Sequence, residues 1–137
     1  MRTALILDSE PAVLSVLTSI LERHNYKVVA TSDFHFALNS CRKEPPDVIL
    51  TNVYLRGISG HDAMKRFKEL CPGIPVLMVS GLPDNKVVRD WVNEEGFDLF
   101  PKPFRPKDLL SKIDEVLEKY QETGQPSGER EFREQSS

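Results

Sequence analysis

Short, uniformly apolar runs alternate along this chain with stretches whose apolar residues recur at helical spacing, from the first residues to about Tyr120. The runs are Ala4 to Leu7, Lys27 to Thr31, Val48 to Val53, Pro75 to Val79 and Phe97 to Phe100. Runs of this length read as β-strands, and most lack the alternation that a sheet with one wet face requires. They are expected to be parallel strands buried on both faces, with helices covering the sheet on each side.

The intervening segments supply those helices. Val13, Leu14, Val16, Leu17, Ile20 and Leu21 fall on one stripe, with Pro11 suited to the first turn because its missing N–H has no helical partner there. A second helix is predicted from about Phe34 to Arg42, capped by Ser32 or Asp33, with Phe34, Ala37, Leu38 and Cys41 facing inward. A third follows Gly60, turns Ala63, Met64, Phe67 and Leu70 inward, and stops at Cys71-Pro72-Gly73. Pro83 and Asp84 open a fourth, with a stripe of Val87, Val88, Trp91 and Val92. Pro106 opens a fifth, carrying Leu109, Leu110, Ile113, Val116, Leu117 and Tyr120. Trp91 is read as core or as an interface anchor, since tryptophan is enriched at binding hot spots.

Residues 121–137 change character: a Gly-, Gln- and Pro-containing stretch leads into mixed charge with Phe132 as the one large apolar residue, which cannot support a core. This end is read as a disordered polar tail behind a single domain spanning residues 1–120, and 137 residues suffice for one buried core. The net charge of −3 comes with no Lys/Arg run and no aromatics interleaved with basic residues, so nucleic acid is not an expected partner. The opening apolar run ends at Asp8, too early for a signal peptide or a membrane span; a cytoplasmic protein with no membrane contact is the expectation. Cys41 and Cys71 fall on different predicted helices without C-x-x-C spacing and are read as reduced structural thiols. His24, His35 and His61 have no ligand spacing.

In open parallel sheets, functional groups gather beyond the carboxyl ends of the strands. Here those ends carry Asp8-Ser9-Glu10-Pro11, Thr51-Asn52, Ser80-Gly81 and Lys102-Pro103-Phe104. With Pro46-Asp47 ahead of the third strand and Gly57 and Gly60 behind it, these fragments, in this order and at these intervals, resemble the signature of CheY-like response-regulator receiver domains over residues 2–120. The resemblance implies a flavodoxin-like, doubly wound α/β fold: five parallel strands in the order 2-1-3-4-5, five helices, and a cis Lys102-Pro103 bond.

The resemblance also implies functional positions, and this sequence departs from them. The family holds magnesium with two acidic residues after the first strand and an aspartate ending the third, and that last aspartate accepts the phosphoryl group. Asp8 matches the first acid, Ser9 stands where the second is expected, and Asn52 stands at the phosphoacceptor. Ser80 and Lys102 match the hydroxyl and lysine positions. The aromatic switch position falls on Leu99, with Phe100 one residue away.

An amide oxygen is neutral and its nitrogen lone pair is delocalised, so Asn52 is not expected to be phosphorylated. Ser9 and Ser80 have no histidine motif supplying a general base. Magnesium favours oxygen ligands that include carboxylates, so the remnant Asp8 predicts weak or absent binding and no other cofactor. Asp8 is left to cap the first helix or to meet Lys102, directly or through Asn52.

The function expected is a stand-alone, degenerate receiver domain of two-component or phosphorelay signalling: a non-enzymatic, phosphorylation-independent protein-interaction module. Its expected partner is a histidine kinase, an output protein or a second copy, met through the face of the fourth helix, fifth strand and fifth helix that the family commonly uses. Two other readings are a phosphorelay receiver with a non-standard acceptor and a small-ligand sensor using the charge-balanced crevice.

Overall fold

In the computed structural model of the chain, five strands form one sheet in the order β2-β1-β3-β4-β5, with every neighbouring pair parallel. The elements are β1 (Arg2–Leu7), α1 (Pro11–Glu22), β2 (Tyr26–Thr31), α2 (Phe34–Lys43), β3 (Val48–Thr51), α3 (Gly60–Leu70), β4 (Val76–Ser80), β5 (Asp98–Pro101) and α4 (Pro106–Thr123). The structure describes residues 1–52, 55, 57–80, 86, 90 and 98–123. The helix labelled α4 is the fifth of those predicted. Of the predicted fourth helix, Lys86 and Asp90 are helical and paired at 2.9 Å, while Val87, Val88, Trp91 and Val92 lie outside the described residues.

Side chains alternate across each strand, and that period divides the core into two layers. Leu5, Leu7, Ile49 and Met78 pack with Phe34, Ala37, Leu38, Ala63, Met64 and Phe67 of α2 and α3. On the opposite face, Ala4, Ile6, Val48, Leu50, Leu77 and Val79 pack with Leu17, Ile20 and Leu21 of α1 and Leu109, Ile113 and Leu117 of α4. The rings of Phe34 and Phe67 meet edge to face at 5.6 Å in the first layer, a favoured arrangement of aromatic quadrupoles. The central strands are apolar on both sides because both layers need them. Among the described residues, no helix is long and apolar enough to cross a membrane.

Local chemistry sets the helix starts. Pro11 occupies the first turn of α1. Asp33 caps α2, its carboxylate accepting from the His35 N–H at 2.8 Å and the Phe36 N–H at 3.2 Å. Ser59 caps α3 by accepting from the Asp62 N–H at 3.0 Å, a contact the sequence reading did not anticipate. Asp47 and Thr3 tie the starts of β1 and β3 together: the Thr3 N–H donates to the Asp47 carboxylate at 2.7 Å and the Asp47 N–H to the Thr3 carbonyl at 2.8 Å.

Two residues predicted to face the core are exposed. Val16 on α1 is 52% exposed, because Leu17, Ile20 and Leu21 define the inward stripe and Val16 sits beside it. Leu70 is 43% exposed, because the inward place one turn after Phe67 goes to Cys71. The last helix runs to Thr123, three residues into the stretch read as tail; residues 124–137 lie outside the described residues.

Candidate functional site

The sheet ladder itself assembles the crevice. One residue beyond β1, the Asp8 N–H donates to the Thr31 carbonyl at 3.2 Å; one residue beyond β3, the Asn52 N–H donates to the Leu7 carbonyl at 3.0 Å. Because β1 lies between β2 and β3, chain order reverses here, the usual place for a site in such a sheet. Asp8 and Asn52 are thus set side by side by backbone pairing, and both are buried.

Lys102 reaches the same point from beyond β5, followed by a cis bond to Pro103. Its ammonium lies 3.2 Å from Asp8 Oδ2. Asp8 Oδ1 accepts from the Glu10 N–H at 2.9 Å and from Asn52 Nδ2 at 3.4 Å. The direct and the Asn52-linked contacts are both present. Glu10, not Asp8, is the N-cap of α1 and makes no side-chain cap bond; Asp8 instead secures the turn entering the helix.

The Asp8 side chain is 2% exposed and that of Lys102 is 20% exposed. At an effective dielectric near 20, opposite charges at this separation attract by about 5 kcal/mol, and desolvating the two ions cancels much of that. The pair therefore adds little net stability over neutral packing. Removing one member costs far more, because the other charge stays buried.

One Asp8 oxygen faces an ammonium and the other is held by two N–H groups, and among the described residues no three His, Cys, Asp or Glu side chains come together. Magnesium favours a near-octahedral oxygen shell, and the carboxylate that the described residues of the crevice offer is that of Asp8, already engaged.

The other predicted positions fall as follows. Ser9 is half-buried in the turn after Asp8. Ser80 ends β4, paired in register with Pro101, so its backbone lies at the same end of the sheet. Leu99 and Phe100 point to opposite faces: Leu99 packs on the α2 and α3 layer, Phe100 on the α1 and α4 layer. The Phe100 ring lies 5.7 Å from that of Phe104. Trp91 lies outside the described residues.

Sequence reasoning missed three features here. The buried Thr51 hydroxyl donates to the Asn52 carbonyl at 3.2 Å, a contact that its place at a strand end does not signal. Asp98 ties β5 to α4 through Lys119 at 3.0 Å and Lys112 at 3.7 Å, an ion cluster with no local sequence signal. An apolar groove of about 340 Å³ adjoins Lys102, lined by Ala12, Val13 and Val16 of α1 with Pro103 and Phe104; the exposed Val16 marks it.

Comparison with known proteins agrees with this architecture. Residues 4–114 match the family model of the response regulator receiver domain. Protein PilH of Pseudomonas aeruginosa is 29% identical over 120 residues, covering 85% of this chain and 98% of PilH. The alkaline phosphatase synthesis transcriptional regulatory protein PhoP of Bacillus subtilis is 28% identical over 130 residues, which is 93% of this chain and 53% of PhoP. The chain spans about half the length of PhoP and of several other curated relatives it matches. The crystal structure of a CheY-like receiver domain protein from Methanospirillum hungatei superposes with a TM-score of 0.78 at 28% identity, covering 89% of this chain and 98% of that one. The parallel five-stranded sheet, the crevice at its carboxyl edge and the match across residues 4–114 together make this chain a member of the response regulator receiver domain family of two-component signalling.

Proposed function

We propose that this chain is a degenerate receiver domain that signals by binding protein, without accepting a phosphoryl group and without enzymatic activity. The observation that carries the reading is the engagement of Asp8, whose carboxylate is held by the Lys102 ammonium at 3.2 Å and the Asn52 amide at 3.4 Å. With Asn52 at the acceptor position, the crevice offers no charged oxygen from β3 to attack phosphorus. With Lys102 balancing Asp8, it requires no cation, and magnesium binds weakly or not at all. The pocket is then set in one state.

The partner is a histidine kinase, an output protein or a second copy of the chain, met through the surface that includes β5 and α4. Phe100, on the α4 side of β5, and Trp91, on the preceding segment, are assigned to that contact, and Leu99, packed on the opposite layer, to the switch position.

The test restores what the reading says is missing. The double variant Asn52→Asp and Ser9→Asp, incubated with a small phosphodonor and magnesium, is expected to gain magnesium binding and the mass of one phosphoryl group. A double variant silent in both measurements would contradict the assignment of these positions.

A further inference from the structure

We propose that Cys41 and Cys71 form a reversible intramolecular disulfide, a thiol-oxidation site whose co-reactant is a hydroperoxide. The two sulfurs, 30 residues apart in sequence, lie 2.6 Å from one another. Either thiol could be the donor in this contact, which brings the two side chains within reach of one another. Both cysteines are free, and they are the only two in the chain.

The fold provides the approach. Cys41 sits in the last turn of α2, and Cys71 is the C-cap of α3, its N–H donating to the Phe67 carbonyl at 2.7 Å. Both belong to the layer where α2 and α3 pack on one face of the sheet. Cys41 is fully buried while Cys71 is 7% exposed, beside the Pro72-Gly73 turn, so a small oxidant meets Cys71 first. Burial, then the hydrogen bond and charge of Cys71, push the Cys41 thiol above its ordinary range, so Cys41 is the partner that responds to an oxidised Cys71 and not the thiol that meets peroxide.

The chemistry balances in two steps. The Cys71 sulfur attacks hydrogen peroxide and the O–O bond breaks: one oxygen stays on sulfur as a sulfenic acid and the other leaves as water. The Cys41 sulfur then attacks the Cys71 sulfur; the sulfenic hydroxyl leaves with the Cys41 proton as a second water. Two thiols lose two electrons and one peroxide is reduced. The new bond staples α2 to α3 and encloses β3 and Asn52 in a covalent loop. Disulfides of this kind in reducing compartments are characteristically transient and redox-sensing.

The test begins with the wild-type protein, treated with hydrogen peroxide, then denatured and alkylated for intact mass and peptide mapping. Joint loss of both thiols with a Cys41–Cys71 cross-link supports the site. Two alkylatable thiols, or Cys71 sulfinic acid beside a free Cys41, would overturn it. A second measurement avoids variants that fail to fold. In a glutathione redox buffer, closure of this loop predicts a disulfide favoured about several hundred-fold more in the folded chain than in denaturant. A ratio near one would also overturn the proposal. The variant Cys71→Ser, altered at the rim of the cluster, is expected to leave Cys41 alkylatable after peroxide.

Discussion

Replacing the Asn52 amide by a carboxylate probes the electrostatics of the crevice directly. In the wild-type protein Asn52 Nδ2 lies 3.4 Å from Asp8 Oδ1 and donates to it. Asn52→Asp converts that donor into a second negative charge at nearly the same separation. At an effective dielectric near 20 the repulsion is about 5 kcal/mol. Lys102, 3.2 Å from the other Asp8 oxygen, returns part of it, so a net loss of about 2–4 kcal/mol is expected in chelator. A divalent cation now has two carboxylates to bridge. Magnesium at about a hundred times its dissociation constant would restore about 2.7 kcal/mol. Urea unfolding of wild type and variant at neutral pH, with chelator and with magnesium, measures both quantities. An Asn52→Asp variant as stable as wild type in chelator, or a wild type stabilised by magnesium as much as the variant, would contradict these electrostatics.

Lys102→Met leaves the buried Asp8 charge with its N–H donors alone and is expected to cost about 3–5 kcal/mol in urea unfolding. Adding Asp8→Asn to Lys102→Met should recover much of that loss, because no charge then remains buried. Asp33→Ala removes both side-chain bonds that cap α2 and is expected to cost about 1 kcal/mol in the same assay. In the reduced protein, the Cys41 thiol is raised above its ordinary 9.0 by burial and by Cys71, so above that pH the unfolded chain sheds a proton that the fold retains. Stability is therefore flat with respect to this group below pH 9 and falls above it by about 1.4 kcal/mol per pH unit, and Cys41→Ala should remove that slope. Tyr120, raised above 10.0 by burial and then by the Asp98 charge, adds a second decline at higher pH.

The strands were legible because a sheet packed on both faces writes itself as apolar runs. The β1 boundary drifted because pairing continues past the apolar residues to Arg2, and β2 begins one residue early at Tyr26, which belongs to the core. The α2 cap could be read from Asp33, whereas Ser59, embedded in a Gly-flanked turn, carried no clear signal. Helical spacing alone could not choose between Leu70 and Cys71 at the end of α3, since both lie about one turn from Phe67; packing against α2 decided it. The contact of Lys102 with Asp8 spans 94 residues and was accessible only by balancing charge within the resemblance. The approach of Cys41 to Cys71 depends on how α2 and α3 lie together, which motif spacing does not encode. Leu99 and Phe100 differ by one position in sequence and by a whole face of the sheet in space.

Intact-mass measurement of the wild-type protein after incubation with a small phosphodonor and magnesium tests the central claim most directly. An unchanged mass is predicted, since position 52 offers an amide in place of an acceptor carboxylate. A stable gain of one phosphoryl group, removed by hydroxylamine as an acyl phosphate is, would contradict it.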